Sequence, residues 1–210
     1  MNLIKLKRWF YKKIYKEAFE KFNWDLDLKK KVKDQCFVVF DTEMSHSNFK
    51  TAKILSLGAF RLEGLKLKLS DHISFKVKNF MQDLESIKVH GILPDELKEG
   101  IEPEKACKEF IKFSWDCVLV GYFTEIDVWV MRSLIRESCG GVFRPYYIDL
   151  VDLLDIRDKI PTLEELSKSL NLPLSNFHDA LEDAYITSLA FLKLVKKYED
   201  LEVGKLPIKV

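Results

Sequence analysis

The sequence predicts an α/β fold: a mixed five-stranded sheet flanked by helices, with an N-terminal helical extension. Three observations lead there. Strand-like patterns CFVVF (36–40), KILSLGAFRLEG (53–64) and LKLSDHISFKVK (67–78) follow one another with short connections. After Pro94 helical and extended patterns alternate, as in sheets covered by helices. Residues 1–33 hold eleven Lys/Arg against four Asp/Glu, a net of +7, whereas the rest of the 210-residue chain nets −6 within a formal total of +1. Charge segregated in this way marks an arm attached to a mildly acidic body. We therefore divide the chain into an extension (1–33), a body (34–200) and a short C-terminal tail (201–210).

The elements follow in order. Residues 3–22 read as one helix with a broad apolar face, on which Leu6, Phe10 and Ile14 recur every fourth residue beside Tyr11, Tyr15, Phe19 and Phe22. CFVVF is a short continuous apolar run, suited to a strand buried on both faces. The next two β-rich segments meet at Glu63-Gly64, where a hairpin turn belongs. EPEKACKEFIKF (102–113) has helical period, and CVLVGYF (117–123) is a second buried strand leading into a helix from about Asp127 to Glu137. YYIDLVDLL (146–154) supplies the fifth strand, and Thr162 caps the helix TLEELSKSL. The last long helix spans about His178 to Lys197.

Composition narrows the class of function. A hydrophobic fraction of 47% with 12% aromatics supports a packed core and excludes general disorder. Cys36, Cys107, Cys117 and Cys139 are widely spaced with no C-x-x-C pair, so we expect buried free thiols in a reducing cytosol rather than a zinc site. No stretch approaches the ~18 apolar residues of a membrane span, and Lys5, Lys7, Arg8, Lys12 and Lys13 interrupt any signal-peptide core. The expected location is cytoplasmic.

The candidate chemistry begins at Asp41-Thr42-Glu43. Side chains at i and i+2 of a strand share a face, here at the carboxyl end of a buried strand, where open α/β sheets bind ligands. Two such acids repel unless a cation lies between them, and Mg²⁺ or Mn²⁺ suits an oxygen-rich site. Taken alone, D-x-E is a common pair of solvated acids. Asp127 is either a helix-start acid or, since its strand would neighbour CFVVF, a partner of Asp41. In HDALEDA (178–184), His178 and Asp183 lie roughly 140° apart on a regular helix and would not touch. His178 in the first turn would face substrate while Asp183 reached deeper. Asp179 shares a face with Asp183, but its position already suits it to the helix dipole.

In this order, D-T-E, G-Y-F-T-E-I-D and H-D-A-L-E-D resemble the three motifs of the DEDDh exonuclease family, which includes the proofreading epsilon subunit of DNA polymerase III. The resemblance extends to K-I-L-S-L-G-A-F-R-L (53–62), V-H-G-I (89–92), Y-I-D-L (147–150) and T-L-E-E-L (162–166), and covers about residues 36–197. It implies a ribonuclease-H-like sheet and 3′–5′ exonuclease action by a two-metal mechanism. Asp41, Glu43, Asp127 and Asp183 would hold two divalent cations, Mg²⁺ or Mn²⁺, with His178 as general base. It also places Thr42, Met44, His90 and Phe123 beside the terminal nucleotide. Two departures bear on substrate preference. Met44-Ser45-His46 stands where the family often has Thr-Thr-Gly, and Phe123 where it commonly has asparagine.

The expected substrate is a DNA 3′ end, single-stranded or frayed. RNA trimming by the same chemistry is the alternative, and an inactive binding module ranks below both because all five catalytic positions are filled. A DNA polymerase or another replication protein is a candidate partner, although the short tail after the last helix argues against a polymerase subunit. Asp149 and Asp152 read as helix-start acids or as supports for the site. His46 and His72 read as surface residues, and Trp115 and Trp129 as core. The basic arm has three readings: packing on the body, attraction to a nucleic-acid backbone, or docking on a partner or an anionic membrane.

Overall fold

A computed structural model describes residues 3–79, 83–156, 159–173 and 178–210; the first two residues of the expected extension lie outside it. The sheet has six strands: β1 (Cys36–Met44), β2 (Ile54–Glu63), β3 (Lys66–Lys76), β4 (Val118–Gly121), β5 (Tyr147–Asp149) and β6 (Ile208–Lys209). Their spatial order is β3-β2-β1-β4-β5-β6. The β1–β2, β2–β3 and β5–β6 pairs are antiparallel, whereas β1–β4 and β4–β5 are parallel. The helices are α1 (Leu3–Ile14), α2 (Lys16–Glu20), α3 (Leu84–His90), α4 (Pro94–Lys98), α5 (Pro103–Ser114), α6 (Thr124–Cys139), α7 (Leu163–Ser169) and α8 (Ala180–Val195).

The central strand shows why the sheet is covered on both faces. Along CFVVF, Phe37 and Val39 enter one core cluster and Val38 and Phe40 the other, following the two-residue period of a strand. The first cluster contains Ala184, Ala190 and Phe191 of α8, with the rings of Phe37 and Phe191 4.9 Å apart. The second contains Phe110 of α5 and Val128 and Met131 of α6. All of these side chains are buried, and truncating one such phenylalanine to alanine costs about 3–5 kcal/mol. The alternation continues past residue 40, so Asp41 and Glu43 fall on the α8 face and Thr42 on the α6 face.

Several expectations are corrected. The sheet has six strands, not five, because Ile208 and Lys209 pair with β5. Ile208 is buried there and Lys209 ion-pairs with Asp152. The expected single helix over 3–22 is two: Tyr15, at φ −121° and ψ 43°, turns the chain between α1 and α2. No glycine or proline marks that bend; it lets Phe19 and Phe22 bury against the body. β1 runs four residues beyond CFVVF, the fifth strand ends at Asp149 in a 3₁₀ turn (Leu150–Leu153), and α6 begins at Thr124 rather than Asp127. Cys36 and Cys117 are joined in a disulfide rather than free, because parallel pairing of Phe37 with Val118 sets them side by side. Cys107 and Cys139 are free thiols. Trp115 and Trp129 are each 40% exposed, not core.

The N-terminal segment is fastened at three places. Arg8, only 4% exposed, lies over the Tyr146 ring at 4.2 Å and donates to the carbonyls of Trp24 and Arg144. Asn23 bridges Val142 and Arg144, and the Trp24 indole donates to Cys117 O. The backbone of 28–33 then bonds that of 199–204, through Val32 to Leu201, Lys33 to Glu199, Val203 to Lys30 and Gly204 to Leu28.

Candidate active site

Gly58 explains how α8 reaches the acidic strand. It pairs with Asp41 across β1–β2, and a Cβ at this position would lie 2.3 Å from the Leu181 backbone. The first turn of α8 therefore rests directly on the sheet at the level of Asp41. A glycine inside an apolar strand marks close backbone approach; sequence reasoning missed it, although that signal was present. Asp179 is the N-cap of α8 and accepts from Leu181 N and Glu182 N, which accounts for it as a helix-start acid.

His178 stands just outside the helix in the left-handed region, with φ 73°. Its backbone N–H donates to Asp183 Oδ2 at 3.0 Å. The regular-helix spacing that would separate the two residues therefore does not apply. One side-chain donor atom each from Glu43, His178 and Asp183 lies within 4.8 Å of the others. Asp183 Oδ1 is buried and has no hydrogen-bond partner among the described residues.

From the opposite face, Asp127 Oδ1 accepts from Thr42 Oγ1 at 2.5 Å and Thr42 N at 3.1 Å. The strand residue between the two acids thus holds the third carboxylate in place. The turn carrying Asp127 is itself pinned, since Asp149 Oδ1 accepts from Phe123 N and Val151 N.

Electrostatics tie the four acids together. Burial pushes Asp41 well above the usual carboxylate range, with the charges of Asp127, Glu43 and Asp183 adding to the effect. Burial, then Asp183 and Asp127, raises Glu43 to about 8. Burial raises Asp127 to about 7 against the hydrogen bonds from Thr42, and Asp183 to about 6 against the His178 N–H. Four carboxylates that resist losing their protons, one with an orphaned oxygen, form a hard-oxygen donor set that divalent cations fit.

The cluster opens into a cleft of about 640 Å³ lined by Glu43, His90, His178 and Leu181, with Ser56 and Lys76 further along. His90 Nδ1 accepts from Ile92 N, and its buried Nε2 has no partner among the described residues. The cleft thus gathers His90 with Glu43 and His178. Met44 packs instead against the α5–α6 core, and Phe123, 40% exposed at φ 55°, stacks edge-on to Tyr122.

Residues 38–191 match the RNase_T family, described as Exonuclease. The chain belongs to this exonuclease family. This family member is 26% identical over 175 residues to the PolC-type DNA polymerase III of Thermotoga maritima, covering 82% of this chain and 13% of that protein. It is 25% identical to the DNA polymerase III subunit epsilon of Aquifex aeolicus, with 82% of this chain and 86% of that protein covered. A further relative at 25% identity is the 3′-5′ exonuclease DinG of Staphylococcus haemolyticus, of which the chain spans 19%. Among solved structures it resembles Escherichia coli exonuclease I bound to single-stranded DNA, at TM-score 0.65 and 18% identity, over 78% of this chain and 41% of that one. The mixed sheet flanked by helices is thus the ribonuclease-H-like fold that the motifs implied. Among the described residues, no helix is long and apolar enough to cross a membrane.

Proposed function

We propose that the protein removes nucleotides from the 3′ ends of DNA, single-stranded or frayed, with two divalent cations held by Asp41, Glu43, Asp127 and Asp183. The observation that carries this reading is the convergence of those acids from β1, α6 and α8 beside His178. When bound, a pair of such ions would stabilise the attacking and leaving oxygens of an in-line displacement at phosphorus.

The chain's own groups supply the remaining parts. His178 is exposed at the mouth of the cleft, where an imidazole can take a proton from the attacking water. With Nδ1 accepting from Ile92 N–H, neutral His90 carries its proton on Nε2. Thr42 fixes the rotamer of Asp127, so its role is to position a carboxylate. The preference for DNA draws on the epsilon-subunit relative, which the chain covers across most of its length. A polymerase or another replication protein is the proposed partner on the same ground.

Matched 3′-labelled single-stranded DNA and RNA, incubated with Mg²⁺ or Mn²⁺, test the proposal. We expect stepwise release of mononucleotides from DNA, abolished in Asp41→Ala. Faster trimming of RNA would overturn the substrate assignment, and undiminished activity in Asp41→Ala would remove the site.

A further inference from the structure

A second groove runs along the outer face of α6, where that helix meets the N-terminal segment. It encloses about 480 Å³ and is lined by Tyr11 and Tyr15 of the extension, Trp129, Arg132 and Arg136 of α6, and Lys50 from the loop after β1. Arg144 lines it as well. The tyrosines come from outside the stretch that matches the exonuclease family, so this groove depends on the chain's own extension.

Its charge is not neutralised from within. Arg132 donates to Phe143 O, and Arg144 lies over the Tyr11 ring at 4.2 Å and donates to its hydroxyl. Among the described residues neither forms an ion pair with a carboxylate. Among the described residues, buried Arg132 Nη2 and Arg144 Nε have no hydrogen-bond partner. Burial and the charge of Arg144 lower Arg132 to about 10, and the nearby charge of Glu125 offsets this only in part. Lys50 is exposed. The nearby Glu137 is already taken by Lys53, and Arg136, 71% exposed, approaches it only at 3.4 Å.

Aromatic surface accompanies the charge. Trp129 is 40% exposed and Tyr15 47%, and Phe49 meets Trp129 edge-on at 5.9 Å. Cationic side chains interleaved with exposed rings form the pattern that holds single strands, phosphates on the charges and bases on the rings. The groove lies on the helix whose first turn carries Asp127, and Arg136 follows Asp127 by about 14 Å along the axis at helical rise.

We propose that this groove binds the stretch of single-stranded nucleic acid upstream of the 3′ end; the word upstream rests on the exonuclease reading, and the binding itself does not. Arg132, Arg136 and Lys50 take backbone phosphates, and Trp129 and Tyr15 take bases.

Fluorescein-labelled oligo(dT) is titrated onto the full chain in EDTA, where cleavage is absent, across a salt series. Lys50→Ala/Arg136→Ala removes two exposed charges and should flatten the slope of log affinity against log salt by about 1.4. Trp129→Ala should weaken binding about tenfold. Hydrolysis of the p-nitrophenyl ester of thymidine 5′-phosphate with Mn²⁺ should be unchanged in both variants, since that ligand is too short to reach the groove. Oligonucleotide binding with the original slope and affinity in both variants overturns the proposal. So does wild-type protein that binds phosphatidylserine vesicles but not oligo(dT). If the wild type binds oligo(dT) with these sensitivities but leaves the ester intact, the groove stands and the nuclease reading fails.

Discussion

Replacing Glu43 by glutamine should make the metal-free protein more stable at alkaline pH while it destroys turnover. Glu43 is 9% exposed and its carboxyl rises from 4.5 to about 8. Between those values the native carboxyl keeps a proton that the unfolded chain has released. The unfolded state then binds fewer protons, so stability falls as pH climbs through this window and is unaffected below about 4. At pH 8 the penalty comes to about 4 kcal/mol at about 1.4 kcal/mol per pH unit. Water entering the cleft screens part of it, so we expect Glu43→Gln to exceed the wild type by about 2–4 kcal/mol at pH 8. At pH 4 the two should coincide. Urea unfolding in EDTA at both pH values reads the difference directly, and Mn²⁺ should stabilise the wild type more than the variant. A variant that tracks the wild type at both pH values, or falls below it at pH 8, would refute the claim that repulsion and burial dominate this cluster.

Three further substitutions probe other parts of the structure. His178→Ala should lower kcat by about 10²–10⁴ and leave Mn²⁺ affinity unchanged by calorimetry; loss of an ion instead would make His178 a ligand. Gly58→Ala puts a methyl 2.3 Å from the Leu181 backbone, so α8 must shift. We expect a loss of about 1–3 kcal/mol in thermal unfolding together with reduced kcat, and an unchanged kcat would show that α8 placement is not critical. Cys117→Ser opens a link between residues 81 apart in sequence and should cost about 4 kcal/mol. Wild type treated with reductant should unfold like the variant, and indifference to reductant would argue that the bond does not form in solution.

The parts of the fold that are legible in the sequence are those set by short-range periodicity. The two-residue period of β1 is enough to put Asp41 and Glu43 on one face, and the carboxyl end of a buried strand marks where they act. Asp127 and Asp183 are readable from the motifs that contain them, and each falls in the first turn of its helix. What escapes notice depends on contacts distant in sequence. The left-handed backbone at His178 has no signature in a histidine followed by aspartate. The pairing of Cys36 with Cys117 follows from the parallel register of β1 and β4, which neither cysteine announces. The bend at Tyr15 has no breaker residue, and two paired residues are too few for β6 to stand out by pattern.

The bonds between 28–33 and 199–204 have a consequence for how the molecule is made. Lys31 and Asp200, which ion-pair across this seam, are 169 residues apart. Closing so long a loop is entropically costly and slow relative to local helix and hairpin formation. During synthesis residues 28–33 emerge well ahead of their backbone partners and cannot make these bonds until residues 199–204 leave the ribosome. The groove beside α6 is lined by residues between Tyr11 and Arg144, all made before Asp183, so a nascent chain would hold the lining of its groove before its carboxylate cluster is complete, and the terminal seam would close last.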